Sequence, residues 1–207
     1  MKQPHYLRDE FEPHEIVCYW IAAERLSTKW DVFFKLLLLS GLRTDTLIGS
    51  TQADVDEGGR TLNLGRRERP KALFEPYGEK GELALSTGMV ELLGRLDRKE
   101  APHLHIFSFV SGQDRSHLYR QTRMIRMLMR AVCAERFRGR TVQRWGLSKI
   151  RRTLRFWLMR RRGLEPNDLN VKALAAALGE TWPTAQDLEA WQHEILKHVG
   201  GPCDQVR

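Results

Sequence analysis

The sequence predicts a mainly α fold carrying a small antiparallel β-sheet (α+β). Two observations carry that expectation. Several long stretches place apolar residues at helical spacing, and between the second and third long helices come short alternating segments broken by Gly and Pro. A third observation, a block of arginines late in the chain, bears on what the fold meets.

Residues 12–26 set Ile16, Val17, Trp20 and Ile21 at helical spacing, with Glu15, Glu24 and Arg25 on other faces. Ser27 or Thr28 is placed to cap the next helix, about 29–40. Its Val32, Phe33, Phe34 and Leu36 to Leu39 make it apolar almost all round, which marks the central helix of the core. Gly41 supplies the left-handed residue that ends it, and Arg43 opens a further short helix. A carboxylate-rich turn (53–56) and the Gly58-Gly59 turn precede an alternating strand at 61–64. Segments 72–74 and 83–85 add weaker strands on either side of 76–81. Ser86 or Thr87 caps a helix with Met89, Leu92, Leu93 and Leu96 inward. Residues 101–110 read as an irregular connection and 111–114 as a loop.

From Ser116 a helix carries Leu118, Ile125, Leu128 and Val132 on one stripe and Arg120, Arg123, Arg126 and Arg130 on much of the remainder. Ser148 is expected to open the next helix, which buries Ile150, Leu154 and Leu158 and displays Arg151, Arg152 and Arg155. Residues 170–178 form a short Ala-rich helix ended by Gly179. Thr184 and Asp187 make a capping-box-like start for a last helix with Leu188, Trp191 and Ile195 on one face.

A chain of 207 residues that is 42% hydrophobic and 29% charged has the composition of a soluble protein with one core, so a single domain over 1–207 is expected. Residues 36–39 are far too few to span a bilayer, and the first residues lack the apolar core of a signal peptide. The three cysteines (Cys18, Cys133, Cys203) are odd in number and widely spaced, which fits a reducing cytoplasm and neither a disulfide framework nor a zinc site. His103 with His105, and His193 with His198, lack a third ligand at a plausible spacing, so no metal and no cofactor is expected.

The net charge is +8, but its distribution says more. Between Arg115 and Gly163 stand fifteen Arg and one Lys against one acid, Glu135, so the remainder of the chain is net negative. Segregation on this scale implies a polyanionic partner. The dominance of Arg favours phosphate over a membrane surface, because the planar guanidinium matches phosphate oxygens in a fork. The expected contacts to double-stranded DNA are Arg120, Arg123, Arg126, Arg130, Arg138, Arg140, Arg144, Lys149, Arg152 and Arg155. Phe137, Trp145, Phe156 and Trp157 interleave with them, as core residues or as base-stacking platforms. Arg160 to Arg162 read as a solvated helix end whose cations suit the helix dipole.

The stretch 36–43 (Leu-Leu-Leu-Leu-Ser-Gly-Leu-Arg), followed by Thr44-Asp-Thr-Leu47 and Ala53-Asp-Val-Asp56, resembles the first arginine motif of the tyrosine recombinase (phage integrase) family. The order of elements over about 12–192 is similar to that family's catalytic domain. Only about a dozen residues precede the match, which leaves no room for the family's separate amino-terminal DNA-clamping domain. Family members cleave DNA with a tyrosine nucleophile, while two arginines, a lysine and one or two histidines surround the scissile phosphate and stabilise its growing charge. The resemblance implies Arg43 as the first arginine, Lys80 (or Lys71) as the lysine, and Arg151, within 147–153, as the second arginine.

The remaining positions depart from the family pattern. Ser148 stands where a histidine belongs, and it lacks an evident base. Glu180 follows Leu178-Gly179 in place of a histidine or tryptophan, although Trp182 is close enough to take that space. The nucleophile position falls on Glu189, and the tyrosines are Tyr6, Tyr19, Tyr77 and Tyr119 with none thereafter. Without the nucleophile a covalent mechanism is lost. The resemblance therefore implies a relic pocket of Arg43, Lys80, Ser148, Arg151, Glu180 and Glu189, with Glu180 pairing one of the arginines. The implied role is a non-cleaving DNA-binding relative in a mobile element, plasmid or phage, working with copies of itself or with a recombination or regulatory partner. The alternatives are an active recombinase with an unrecognised nucleophile, and a basic adaptor for an acidic protein or RNA.

Overall fold

Helix α2 (Thr28–Ser40) is the element against which the others are laid. The structure, a computed structural model, describes residues 10–56, 58, 60–64, 81–96, 105–107, 116–142, 145–165 and 183–200, with 116–122 by backbone alone. The expected strand at 72–74, the helix at 170–178, the loop at 111–114 and most of the 101–110 connection lie outside those residues. Among the described residues there are seven α-helices, a three-stranded antiparallel sheet and a two-stranded hairpin.

Every side chain of α2 from Asp31 to Ser40 is buried, as its unbroken apolar run requires. Helices α1 (Pro13–Glu24), α3 (Thr44–Gly49), α4 (Thr87–Gly94), α6 (Leu147–Arg161) and α7 (Ala185–Val199) all pack on it. Helix α5 (Ser116–Ala134) lies against α1. Two large aromatics from neighbouring helices anchor their polar ends on α2 carbonyls. The Tyr19 hydroxyl donates to Phe34 O at 2.8 Å, and Trp191 Nε1 donates to Leu38 O at 3.0 Å. Both side chains are thereby buried with their polar atoms satisfied.

Lys35 is the one cation of α2's buried run, and it is compensated in place. Its Nζ lies 2.9 Å from Asp31 and 2.9 Å from Glu24, and 4.5 Å above the Trp20 ring. Arg95 holds the other Asp31 oxygen at 2.8 Å. Burying this charge without those partners would cost several kcal/mol.

Caps follow the sequence at most ends. Gly41 ends α2 at φ 65°, Ser86 accepts from Met89 N at the start of α4, and Thr184 and Asp187 form the capping box of α7. Two ends differ from expectation. Ser27 is the N-cap of α2, but its side chain makes no capping hydrogen bond. Helix α6 begins at Leu147 with Gly146 as its N-cap, so Ser148 sits inside the first turn, exposed, rather than capping it.

The sheet runs β1 (Val55–Asp56), β2 (Thr61–Asn63), β3 (Glu82–Ala84). Its register places Leu62 opposite both Val55 and Leu83, and Leu62 and Leu83 face the core. The hairpin, β4 (Arg136–Phe137) and β5 (Arg140–Thr141), has no counterpart in the sequence expectation.

Candidate nucleic-acid interface

The arginines of α5 recur at positions 123, 126 and 130, a spacing that keeps them on one helical face. All three are exposed, while Leu128 and Val132 on the opposite face are fully buried. The amphipathic split, apolar toward α1 and cationic toward solvent, is thus written directly in the residue order. Arg120 belongs to the same helix but lies where the backbone alone is described. Glu135, the single acid of the basic block, ion-pairs with Arg25 at the C-cap of α1. Its carboxylate is therefore matched where α5 meets the hairpin.

The hairpin begins immediately after Glu135 and adds Arg136, Arg138 and Arg140, all exposed. Its two central residues, Arg138 at φ 52° and Gly139 at φ 74°, both have the left-handed backbone of a two-residue I′ turn. Arg136 pairs with Thr141 and Phe137 with Arg140, so Arg136 and Arg140 point to opposite faces of the ribbon. Phe137, Arg138 and Arg140 line, with Val17, His14 and the α7 residue Lys197, a cleft of about 450 Å³ against α1, where Arg140 lies 3.8 Å from Glu12. The Arg138 guanidinium lies 5.3 Å from the Phe137 ring.

Part of the basic block is committed inward. Lys149 departs from its expected phosphate-contact role. Its Nζ lies 2.9 and 2.8 Å from the two oxygens of buried Glu15, and only 15% of its side chain is accessible. Arg160, expected on a solvated helix end, makes a paired contact to Glu10, with one bond at 2.7 Å, and that contact raises its pKa. Arg162 is 3.0 Å from Asp187. Arg152 and Arg155 are half-buried on α6, and Arg144 lies outside the described residues. Of the interleaved aromatics, Trp145 and Phe156 are core residues, and Trp157 packs on Trp191 at 5.2 Å between ring centroids.

Two residues of the expected relic pocket do come together. Arg43 and Arg151 line one cavity of about 270 Å³ with Leu37, Leu42, Asp45 and Ile150. The backbone explains how. Gly41 turns the chain out of α2 at a point where a Cβ would stand 2.9 Å from Leu154 Cδ2 of α6. The absence of a side chain lets the Arg43 segment lie directly against the α6 face that carries Arg151.

Ser148 is not among the described residues that line this cavity. Glu189 is placed elsewhere. Its Oε1 accepts from Thr87 N at 2.6 Å, Thr87 Oγ1 at 2.7 Å and Arg60 at 3.0 Å, closing the first turn of α4. Burial raises the pKa of this carboxyl, but the Thr87 and Arg60 donors outweigh it and the net shift is downward. Lys80, Lys71, Glu180 and Trp182 lie outside the described residues.

Among the described residues no three His, Cys, Asp or Glu side chains gather as a metal site, and His198 is paired with Glu194 at 3.0 Å. Nor is any described helix long and apolar enough to cross a membrane. Comparison with protein-family models, with curated proteins and with solved structures gave no match.

Proposed function

We propose that this protein binds duplex DNA through phosphate contacts, on a fold of the tyrosine recombinase catalytic kind, and does not cleave it. The observation that carries the reading is the exposed arginine face of α5, continued at once by the three arginines of the hairpin. A cationic surface of this kind neutralises phosphates and releases counterions, which supplies sequence-independent affinity. Arginine in place of lysine favours phosphate over a membrane surface, because its planar fork matches phosphate oxygens.

The kinship with recombinases is supported by Arg43 and Arg151, which arrive from separate motifs at one cavity. The absence of cleavage follows from chemistry. No tyrosine stands beyond Tyr119, and Glu189, at the nucleophile's place in the order of elements, is engaged by Thr87 and Arg60. A carboxylate so held by three donors is a poor nucleophile toward a phosphodiester. The role that fits is accessory or regulatory, in recombination, mobile-element control or plasmid and phage maintenance in the cytoplasm. The protein would act there with copies of itself or with a recombination partner.

Two measurements on the full chain test this. Fluorescence anisotropy should show binding to a 30-base-pair duplex (about three helical turns) that outcompetes double-stranded RNA and an acidic peptide. A nicked suicide substrate should yield no denaturation-resistant protein–DNA band. Preference for the RNA or the peptide would overturn the partner, and a covalent band would overturn the absence of cleavage.

A further inference from the structure

The β4–β5 hairpin has a feature that its stability alone does not explain. Two-residue I′ turns favour Asn, Asp or Gly at both central positions, because both must adopt positive φ. Here the first of them is Arg138, at φ 52°. A left-handed backbone is disfavoured for a residue with a Cβ, and a residue held there against its preference points to a use for its side chain. Arg138 stands exposed at the tip, its guanidinium resting over the Phe137 ring at the mouth of the α1 cleft; Arg140 lies on that cleft side, 3.8 Å from Glu12, and Arg136 is exposed on the opposite face of the ribbon. The base of the ribbon is held on α1, with Phe137 half-buried against the core.

We infer that the hairpin is a minor-groove probe: Arg138 swings off the Phe137 ring into the minor groove of duplex DNA, while Arg136, on the outer face of the ribbon, contacts a phosphate row beside it. The inference rests on the duplex-DNA reading above and adds a groove and a preference to it. The minor groove of undeformed B-DNA, about 6 Å wide, is too narrow for a two-stranded ribbon but admits a single extended side chain. A single cation at the tip of a tight turn therefore suits it better than it suits the major groove. Narrow A·T-rich minor grooves concentrate negative potential and attract inserted arginines, so the hairpin should prefer A-tracts without any base-specific hydrogen bond. The α5 arginines would lie along the backbone beside it.

The test uses the full chain and the variants Arg138→Asn and Arg138→Gly, both of which suit the I′ turn better than arginine does. Each should melt at or above the wild-type temperature. Each should bind an A-tract duplex roughly tenfold more weakly, because the cation that the narrow groove attracts is gone. Binding to a G·C duplex should change much less, so the A-tract preference of the wild type disappears. Netropsin, which fills A·T minor grooves, should displace the wild type from the A-tract duplex, and the major-groove ligand methyl green should not. If wild type and both variants bind A-tract and G·C duplexes alike, or if netropsin leaves binding unchanged, the hairpin is not a minor-groove probe, although duplex binding stands. If the wild type binds no duplex at all, the function proposed above fails and this inference fails with it.

Discussion

Lys149 Nζ lies 2.8 Å from Glu15 Oε2, a bond that joins the first turn of α6 to the first turn of α1 across 134 residues of sequence. The same Glu15 oxygen accepts from the Glu12 amide, and Lys149 stands 5.1 Å from the centre of the Phe11 ring. Next to it, Phe11 N donates to Thr153 Oγ1 at 2.8 Å. This junction of the two helix starts gives Lys149 a structural role in the middle of a basic block.

Lys149→Met should therefore destabilise the fold while leaving DNA affinity within about twofold. It strands a carboxylate with little access to water, and breaking a buried pair on one side costs about 3–5 kcal/mol, with the lower figure appropriate to a lysine that keeps some exposure. Glu15→Met with Lys149→Met should recover much of the loss. Urea denaturation of the two variants, with anisotropy on the same duplex, checks both parts.

Replacing Arg123, Arg126 and Arg130 together with Gln should have the opposite signature. These side chains are exposed, so stability should move by less than about 1 kcal/mol. If each contacts a phosphate, the slope of log K against log salt should flatten by about 2–3. Titrations at four salt concentrations measure it, and an unchanged slope would remove α5 from the interface.

Gly41→Ala should cost about 1–3 kcal/mol from the left-handed backbone and the close approach to Leu154 Cδ2. The relief comes from Leu154→Ala in the same chain, which removes the contact but not the backbone strain. The double variant should therefore be less destabilised than the sum of the two single changes. A thermal-melt double-mutant cycle gives the coupling directly.

The lowered pKa of Glu189 makes a pH statement. A carboxyl whose folded pKa lies below its unfolded value, about 4.3, contributes stability that is fully present above that value. The contribution is lost as pH falls through the depressed folded value. Glu189→Gln should thus melt below the wild type at pH 7, and the gap should close as the pH falls below about 4. A gap that stays constant from pH 7 to pH 3 would mean that the charge of Glu189 contributes nothing.

Cys18 has no accessible surface, and burial, aided by the nearby Glu135 and Glu15 charges, pushes its thiol up to about 11. Iodoacetamide at pH 8 should leave the Cys18 peptide unlabelled in the native protein and label it fully in guanidinium, as peptide mass spectrometry will show.

The course of the chain from α1 to α3 was legible because its signals are local. An apolar run within a segment of about a dozen residues, with Ser27 before it and Gly41 after it, reads as a buried helix and its end. The same holds for the capping residues Ser86 and Thr184. The hairpin was missed because strands of two residues have no periodicity to read. Arg138-Gly139 was the available signal, since a residue followed by Gly between two short segments is turn chemistry. Serine favours the cap position, but Gly146 comes first and leaves Ser148 inside the turn. For Lys149 and Glu189 the sequence offers only a place in a charge block and in a motif order. Their partners Glu15 and Thr87 are more than a hundred residues away, and nothing local to a long flexible side chain tells which way it turns. Arg43 and Arg151 were grouped through motif order and do share a cavity, because the Gly41 turn fixes the approach of their two helices.

The bond from Trp191 to the Leu38 carbonyl closes a loop of 153 residues, and it has a consequence for the chain as it is made. Helix α2, with its four consecutive leucines, leaves the ribosome long before α7 exists to cover it. At about 5–20 residues per second the delay is roughly 8–30 s. Throughout that interval the most apolar segment of the protein has only α1 and α3, and later α4 and α6, to lie against. Holding chaperones would find their binding site there, and a chain interrupted before α7 would be marked for degradation by the same leucines that stabilise the finished protein.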